Sequence, residues 1–529
     1  MYRTHIRPLS LSLLLLLTQQ TALADDPSAK TSIRDDFGIF RDVGGDIGDR
    51  QQQIERNDSL RRKNTDGAQE DDTPDLSDED LKKNPEIANH ILNTAMLRED
   101  WDTLEHIMGF YRDIPGHDPV MYDFVQGALW RAQGKHGKAI KTYRKILDKQ
   151  PDLSYVRLDL AGMLFENRAY RDAAKEFGQV KKEDIEPEAA AQADAYLQAV
   201  KQANPWQFKL RGGLQYSSNT NNATSNDYFL WPFAVIDGVT YYYKLPRDPE
   251  SLPRSSHGYS YGAQLQKDFN LSGNHNIGFN IEADGVHYPG RHEDNEFSLS
   301  ADAGYKYQNL NNTFTLTPLV SASWLGGRPY SRSIGAAASV SRWVTPRLQL
   351  SGSYSALRRK YRDERYEGYD STANSLSLSS VYALTGNWFV FGGAAVQREN
   401  TRDKEETSTR RSLSLGTLYR FDNGINFRIG GRHVSRRFAN PATLYGGDIR
   451  RDKEIYADAS VWKEKWLPGG ITPKLEFSYL KVKSNIYAFP RNKKQVLLTL
   501  EKEFLFGPRP PQRPSEKQFE AFRRPLRYR

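Results

Sequence analysis

A single short motif in the sequence has the spacing of a nucleophilic enzyme site. Residues Gly258–Gly262 read G-Y-S-Y-G, which matches the G-x-S-x-G pattern in which a serine attacks an acyl carbon. That chemistry needs the serine on a sharp turn between a strand and a helix. Here Ser260 lies in a run of alternating residues, and no helical pattern follows it. We therefore interpret the motif as part of a strand.

The other residue types that could do chemistry are equally sparse. The 529 residues include no cysteine, which excludes disulfides, thiolate metal sites and cysteine nucleophiles. The ten histidines show no metal-binding spacing such as H-E-x-x-H. The paired carboxylates Glu293-Asp294 and Glu405-Glu406 fall in predicted loops, where we expect them to be solvated. We predict that the protein is not an enzyme and has no catalytic residue, metal site or cofactor.

The composition indicates a membrane protein built from strands. Aromatic residues make up 12% of the chain, yet its mean hydropathy is −0.72. A transmembrane β-barrel has this profile because only every second residue of a strand faces lipid. No run of about 18 apolar residues is present to form a membrane-spanning helix. A soluble β-sandwich scaffold is the alternative.

Charge is distributed unevenly along the chain. The net charge is +8, but residues 25–80 carry −9 and residues 206–506 carry +11. Such asymmetry indicates segments with different roles. Because the basic segments lack a nucleic-acid-binding motif, nucleic acid is not an expected partner.

The N-terminus has the three parts of a secretion signal. Arg3 and Arg7 precede the apolar run Leu13–Leu17, and Ala22-Leu23-Ala24 forms a small-x-small cleavage site. We predict a signal peptide over residues 1–24; a membrane anchor is the alternative, although the apolar run is short for a bilayer. Residues 25–83 are highly charged and poor in aromatics, so we expect an acidic disordered tether.

Residues 84–205 show helical patterns with a period of 34 residues. Three pairs of residues 34 positions apart carry the period: Gly127 and Ala161, Ala139 and Ala173, and Tyr143 and Phe177. The small residues allow two helices to approach closely, and the aromatic residue packs between neighbours. The pattern resembles the tetratricopeptide repeat. A generic helical bundle is the alternative.

The resemblance to this repeat implies a concave groove lined by the first helix of each unit. Transferred by position, the groove residues are Met121, Phe124, Arg131, Tyr155, Leu158, Phe165 and Glu166. An apolar and aromatic groove with few charges suits an extended or unfolded polypeptide. Alternatively, these side chains simply pack on neighbouring helices.

Residues 206–506 alternate between apolar and polar side chains from Trp206 onward. Turn signals divide the region into strands joined by six short turns and seven longer polar connections, the first at 218–257. Thirteen connections predict fourteen strands, and an even number with alternating short and long connections is typical of a bacterial outer-membrane barrel. Both ends of the barrel then lie on the short-turn, periplasmic side, together with the helical domain.

The first and last predicted strands define the closing seam of the barrel. The apolar face of this seam comprises Trp206, Phe208, Leu210, Leu498, Leu500, Phe504 and Phe506. A last strand that ends in an aromatic residue resembles the signal by which outer-membrane barrels are recognised for insertion. Here a basic, proline-rich tail at 507–529 follows Phe506, which departs from the usual form.

The predicted fold is multidomain, an α-helical tetratricopeptide-repeat domain followed by a 14-stranded antiparallel transmembrane β-barrel. With its signal and acidic tether, this arrangement resembles the surface lipoprotein assembly modulator (Slam) family of Gram-negative outer-membrane proteins. The resemblance covers residues 84–506 and is most specific over Trp101–Phe177, including Ile114–Pro119 and Leu158–Tyr170.

The resemblance implies a function in delivering surface lipoproteins to the cell surface, with the repeats binding the client and the barrel passing it. The implied partners are surface lipoprotein clients, periplasmic chaperones, the barrel-insertion machinery and outer-membrane lipids, and the implied location is the cell outer membrane. From the charge of 206–506 we expect a positively charged interior. A polysaccharide exporter and a solute porin with a periplasmic repeat domain are the alternatives.

Overall fold

The computed structural model describes residues 77–183, 185–237, 239–445 and 447–506. The predicted signal peptide, most of the predicted tether and the predicted tail lie outside these residues. The described residues before Trp206 form eight α-helices: α1 Asp78–Lys83, α2 Pro85–Arg98, α3 Trp101–Met108, α4 Pro119–Ala132, α5 His136–Lys149, α6 Ser154–Glu166, α7 Tyr170–Val180 and α8 Pro187–Gln202. Within the described ranges, no helix is long and apolar enough to cross a membrane.

Helix α1 corrects the predicted extent of the acidic tether, because it lies inside 25–83. Ser77 caps the helix by accepting a hydrogen bond from the backbone N–H of Asp80 at 3.3 Å. Acidic residues occupy its first turn and lysines its last, which complements the helix dipole. Leu81 is buried and belongs to the helical core. The Ser77 cap, the order of charges along the helix and the burial of Leu81 together stabilise α1. They do so although the charge density of the segment predicts disorder.

Helices α4 with α5 and α6 with α7 pack as the two hairpins that the 34-residue period predicts. A Cβ added at Gly127 would lie 2.3 Å from Cε2 of Tyr143, so only glycine allows this ring to pack against α4. In the second hairpin, Ala161, Ala173 and Phe177 are fully buried. Hence the repeated small and aromatic residues set the distance between paired helices.

We expect Gly127→Val to destabilise the helical domain by about 1–3 kcal/mol, because the added side chain overlaps the Tyr143 ring. The measurement is urea unfolding of the detergent-solubilised chain, followed by helical circular dichroism. Adding Tyr143→Leu should recover part of the loss by making room. Gly137→Val is the matched control, because nothing lies within 4 Å of a Cβ at this glycine. Equal losses in the two valine variants would contradict the packing argument.

The residues after α8 form sixteen strands within the described ranges. Their bounds are β1 Trp206–Ser217, β2 Tyr228–Ile236, β3 Val239–Pro246, β4 Ser256–Ser272, β5 His275–His287, β6 Glu296–Gln308, β7 Asn312–Leu325, β8 Arg328–Trp343, β9 Leu348–Tyr361, β10 Ser371–Ala383, β11 Trp388–Thr401, β12 Ser408–Arg420, β13 Ile425–Ala442, β14 Asp448–Lys463, β15 Thr472–Ser484 and β16 Arg491–Phe506. Ser260 lies inside β4, which is followed by another strand and not by a helix.

Fourteen of these strands, β1 and β4 to β16, form one closed antiparallel barrel in chain order, which confirms the predicted strand number. The barrel closes where β1 pairs with β16. Strands β2 and β3 form a separate two-stranded sheet within the connection from β1 to β4. The sequence predicts 218–257 only as a long polar connection, so the hairpin within it is a correction.

Side chains alternate between the outer surface and the lumen along each barrel strand. Many outward residues are apolar and exposed, as at Leu376 and Leu413, where the exposed fractions are 56% and 67%. Inward positions carry nearly as many acidic as basic residues. Arg211 bonds Glu282 at 2.8 Å and also pairs with Asp284. The expectation of a positively charged interior is therefore wrong, because the basic excess of 206–506 lies on the outward positions of the strands.

The helical domain is hydrogen-bonded to two short turns of the barrel. The side chain of Asn167 donates to that of Asn274, in the β4–β5 turn, at 3.3 Å. It also accepts from the backbone N–H of Leu310, in the β6–β7 turn, at 3.4 Å. The guanidinium of Arg171 donates to the carbonyl oxygen of Leu271 at 2.7 Å. These contacts place the turn after α6 directly against the short-turn end of the barrel.

Candidate functional site

Three of the predicted groove residues are buried in the helical core. The exposed fractions of Met121, Phe124 and Leu158 are 2%, 7% and 5%. The Phe124 ring packs against Tyr143, with 5.4 Å between ring centroids. These three residues therefore do not line an open groove. Helices α4 and α6 each pack between neighbouring helices. The three buried residues lie on the faces of α4 and α6 that these neighbours cover.

The other predicted groove residues, Arg131, Tyr155, Phe165 and Glu166, are partly exposed. Arg131 on α4 reaches across to Glu166 at the end of α6 and forms a two-pronged ion pair, with Nε–Oε2 3.0 Å and Nη2–Oε1 2.6 Å. Both side chains remain about one-third exposed, at 34% and 35%. The pair therefore lies on a surface between two successive repeat units.

Three further residues, His136, Asp159 and Tyr196, lie at this surface, and His136 is buried beneath it. Nε2 of His136 lies 3.2 Å from Glu166 Oε2. On α6, Asp159 and Glu166 are seven residues apart and so share a face. Tyr196 of α8 packs edge-on against Phe165 at 5.3 Å. The i, i+7 spacing of the two acids was the available signal, but only the fold brings His136 and Tyr196 to them.

The charges on this surface shift the ionisation of its two acids in opposite directions. Burial alone would raise the pKa of Glu166, but the Arg131 charge and the hydrogen bonds from His136 and Arg131 hold it well below its usual range. Burial raises the pKa of Asp159 to about 6; Arg131 opposes this rise and Glu166 adds to it. The surface thus combines a neutralised ion pair with a weakly acidic carboxyl group.

We expect the stability of the helical domain to fall as pH rises through about 6. The folded-state pKa of Asp159 is about 6, above the ordinary value of 3.8, so the folded chain holds this proton more tightly than the unfolded chain. The stabilising effect of the protonated carboxyl is complete below about pH 4 and is lost as pH rises through the folded-state pKa.

Asp159→Asn should remove this pH dependence and stabilise the domain at pH 7.5 by about 1–2 kcal/mol, a value reduced for partial exposure. Urea unfolding followed by helical circular dichroism at several pH values measures it. Asp123→Asn, which alters an acid paired with Lys145 at 2.9 Å, is the control. Parallel pH profiles for the parent chain and Asp159→Asn would contradict the assignment.

The predicted seam residues are brought together where β1 meets β16. In the register, Trp206 pairs with Phe506 and Phe208 with Phe504. Leu210, Leu498, Leu500 and Phe506 are 40%, 49%, 47% and 54% exposed, on the outer surface. The Phe208 and Phe504 rings lie 6.0 Å apart. The seam is therefore a continuous apolar strip on the outside of the barrel.

Small residues shape this seam. A Cβ added at Gly213 would lie 2.1 Å from the carbonyl oxygen of Leu498, so β1 approaches β16 as only glycine permits. Beside it, a hollow of about 470 Å³ opens, with Leu210, Gly212, Tyr261 and Leu500 in its lining. Two consecutive glycines also weaken the strand, because they contribute no side-chain packing.

The long-loop end of the seam is tied by the connection that follows β1. The backbone N–H of Ser218 donates to the carbonyl oxygen of Lys494 at 2.9 Å. Thr224 donates to the carbonyl oxygen of Pro490 at 2.7 Å. Lys493, on an inward position of β16, donates to Asn222 at 3.0 Å. Because Lys493 faces the lumen, the connection after β1 enters the mouth of the barrel.

The long-loop end of the lumen is packed with buried charged groups. Arg436, Arg450, Asp452 and Glu454 are each 2% exposed. Arg450 bonds Asp452 at 2.8 Å, and its guanidinium lies 3.5 Å from the ring centroid of Phe489. This packing, together with the connection after β1, occupies part of the mouth of the barrel.

Two family models match the chain. "Surface lipoprotein assembly modifier" matches residues 206–504, and "Surface lipoprotein assembly modifier, N-terminal TPR repeats" matches residues 74–177. Surface lipoprotein assembly modifier 1 of Haemophilus influenzae is 26% identical over 442 residues, covering 81% of this chain and 87% of the relative. Its Neisseria meningitidis namesake is 26% identical over 437 residues, covering 81% and 85%. The hemophilin secretion modulator of Acinetobacter baumannii is 24% identical over 435 residues, covering 80% and 87%. The barrel family model alone matches more than half of this chain, and the chain therefore belongs to the surface lipoprotein assembly modifier family.

Proposed function

We propose that this outer-membrane barrel protein delivers lipoproteins to the cell surface, with its helical repeats holding the client and its barrel passing it. One observation carries the proposal: Glu166, on the repeat surface, directly precedes Asn167, which is hydrogen-bonded to two barrel turns. A polypeptide held between α4 and α6 is thereby kept at the entrance of the barrel.

The repeat surface has the chemistry to hold an extended chain. Tyr155 and Phe165 offer partly exposed rings, and Asp159 offers a carboxyl group to backbone N–H donors. Because Arg131 and Glu166 neutralise each other, the surface does not select strongly for client charge. Short-turn ends of outer-membrane barrels face the periplasm. The repeats would then meet clients, and the chaperones that carry them, on the periplasmic side.

The packed mouth favours an exit through the seam. A client leaving along the barrel axis would have to displace buried Arg436, Arg450 and Asp452, whereas opening between β1 and β16 separates two strands beside a hollow. Such an opening would also let a lipid anchor pass within the membrane. The buried charged groups and the connection that occupy part of the mouth favour this route over the open lumen that a solute porin or a polysaccharide exporter needs.

Deleting the chain and then labelling all surface-exposed lipoproteins tests this function. At least one lipoprotein should lose its surface exposure while its total amount is unchanged, and re-expression should restore it. That protein is termed the dependent lipoprotein below. The same purified lipoprotein, added inside liposomes that carry the chain, should become accessible to external protease. Unchanged surface exposure of every lipoprotein after deletion would overturn the proposal.

A further inference from the structure

The hairpin β2–β3 in the connection after β1 has the features of an incomplete sheet. Within the described residues it consists of two strands only. Tyr241, Tyr242 and Tyr243 are consecutive and 45%, 43% and 56% exposed. Because successive residues point to opposite faces, exposed tyrosine rings lie on both faces of β3. A two-stranded sheet is marginally stable in water, and a third strand is the usual remedy.

Hydrogen bonds identify which edge of the hairpin is open. The Tyr487 hydroxyl donates to the carbonyl oxygen of Leu230 at 3.0 Å, so this carbonyl points away from β3. Leu230 is paired with Lys244. In an antiparallel ladder the two residues of such a pair both direct their main-chain groups outward. The N–H and C=O of Lys244 therefore point away from β2, and those of Tyr242, two residues earlier, do the same.

The Tyr487 region covers the β2 edge, whereas no strand of the described residues pairs with the β3 edge. The Tyr228 ring stacks on Tyr487, with 6.5 Å between centroids, and the Asn226 amide donates to the Tyr487 carbonyl oxygen. Residue 487 lies just before β16. The hairpin is thus held by β2 at the long-loop end of the seam, with the open edge of β3 on its far side.

We propose that the open edge of β3 receives an extended segment of the client by strand addition as the client leaves the barrel. The proposal rests on the function proposed above. Outward N–H and C=O groups at Tyr242 and Lys244 are satisfied by the backbone of another polypeptide, which is how exposed edges bind peptides. A lipid could cover the tyrosine rings but could not complete this ladder. The exposed rings provide the side-chain contacts across such a pair.

The lack of native cysteines allows a direct test of the pairing. Tyr242→Cys introduces a single thiol on the edge strand, and the dependent lipoprotein carries one cysteine at each of several successive positions in turn. Strand addition predicts disulfide adducts at alternate client positions, because side chains on one face recur every second residue. Adducts at every position, or at none, would overturn strand addition.

Proline variants test the main-chain groups separately from the side chains. Tyr242→Pro with Lys244→Pro removes two outward N–H groups without removing a hydrogen bond inside the hairpin. We expect surface display of the dependent lipoprotein to fall about tenfold or more. Tyr242→Ala with Lys244→Ala keeps both N–H groups and should change display by less than about threefold.

The outcomes separate this inference from the proposed function. Equal large losses with the proline pair and the alanine pair would mean that the side chains of Tyr242 and Lys244, and not their main-chain groups, make the contact, and would overturn strand addition. Full display with both pairs would also overturn it, while the dependence on the chain as a whole stands. If no lipoprotein depends on the chain, the proposed function itself fails.

Discussion

A disulfide across the seam, formed by Leu214→Cys and Leu498→Cys, should reduce surface display of the dependent lipoprotein to below about a tenth of its normal level. Leu214 and Leu498 are direct partners in the β1–β16 register and are 58% and 49% exposed on the outer surface. Directly opposed residues on antiparallel strands are close enough for a disulfide. The covalent link then prevents separation of β1 from β16, which the proposed exit requires.

The matched control is a disulfide between β10 and β11, formed by Leu376→Cys and Val396→Cys. These residues are also direct partners and are 56% and 47% exposed. Surface labelling with and without reductant measures both variants, since reduction should restore display in the seam variant. Normal display with a fully oxidised seam would mean that clients leave through the mouth, and the lateral route would be wrong.

Removal of the Arg131 guanidinium is the second change with a large expected effect. Arg131→Ala leaves Glu166 and Asp159 without their shared cation, and a partly buried acid that loses its partner is costly. We expect a loss of about 2–3 kcal/mol in the stability of the helical domain, allowing for the 34% exposure of Arg131. Client display should fall as well, because the surface between α4 and α6 becomes strongly acidic.

Two further variants separate charge from packing at this ion pair. Lys145→Ala breaks an ion pair of 2.9 Å whose lysine is 58% exposed, and it should cost less than about 0.5 kcal/mol. The exchange Arg131→Glu with Glu166→Arg restores opposite charges and should regain part of the lost stability. Urea unfolding followed by helical circular dichroism provides the comparison. A loss in Arg131→Ala no larger than that in Lys145→Ala would show that the pair is only a surface contact.

The strands and helices were predictable because they are encoded locally. Barrel strands need alternation, since one face meets lipid and the other the lumen, and this alternation is visible from Trp206 to Phe506. The repeats need small residues where paired helices approach closely, and the packing of the Tyr143 ring on Gly127 is an example. Both signals depend on spacing along one element, which a sequence displays directly.

Two errors show where local reading stops. The β2–β3 hairpin has a local signal, Asp237-Gly238 between two aromatic-rich runs, which is a turn sequence typical of hairpins. Polar residues at 218–227 precede this signal, and they make the whole connection resemble one polar segment. The prediction of a positively charged lumen was wrong for a different reason. A net charge summed over 206–506 does not distinguish inward from outward positions.

The sequence by itself determined the order of the domains, the number of barrel strands and the two strands that form the seam. Only the tertiary structure decided which groove residues are accessible, that Arg131 is paired with Glu166, and which groups occupy the mouth of the barrel. Met121 and Arg131 both lie on α4, yet one is in the core and the other meets Glu166 of the next unit. The physical reason is that burial and ion pairing depend on neighbouring elements, and residues as far apart as Asn222 and Lys493 come into contact only when the barrel closes.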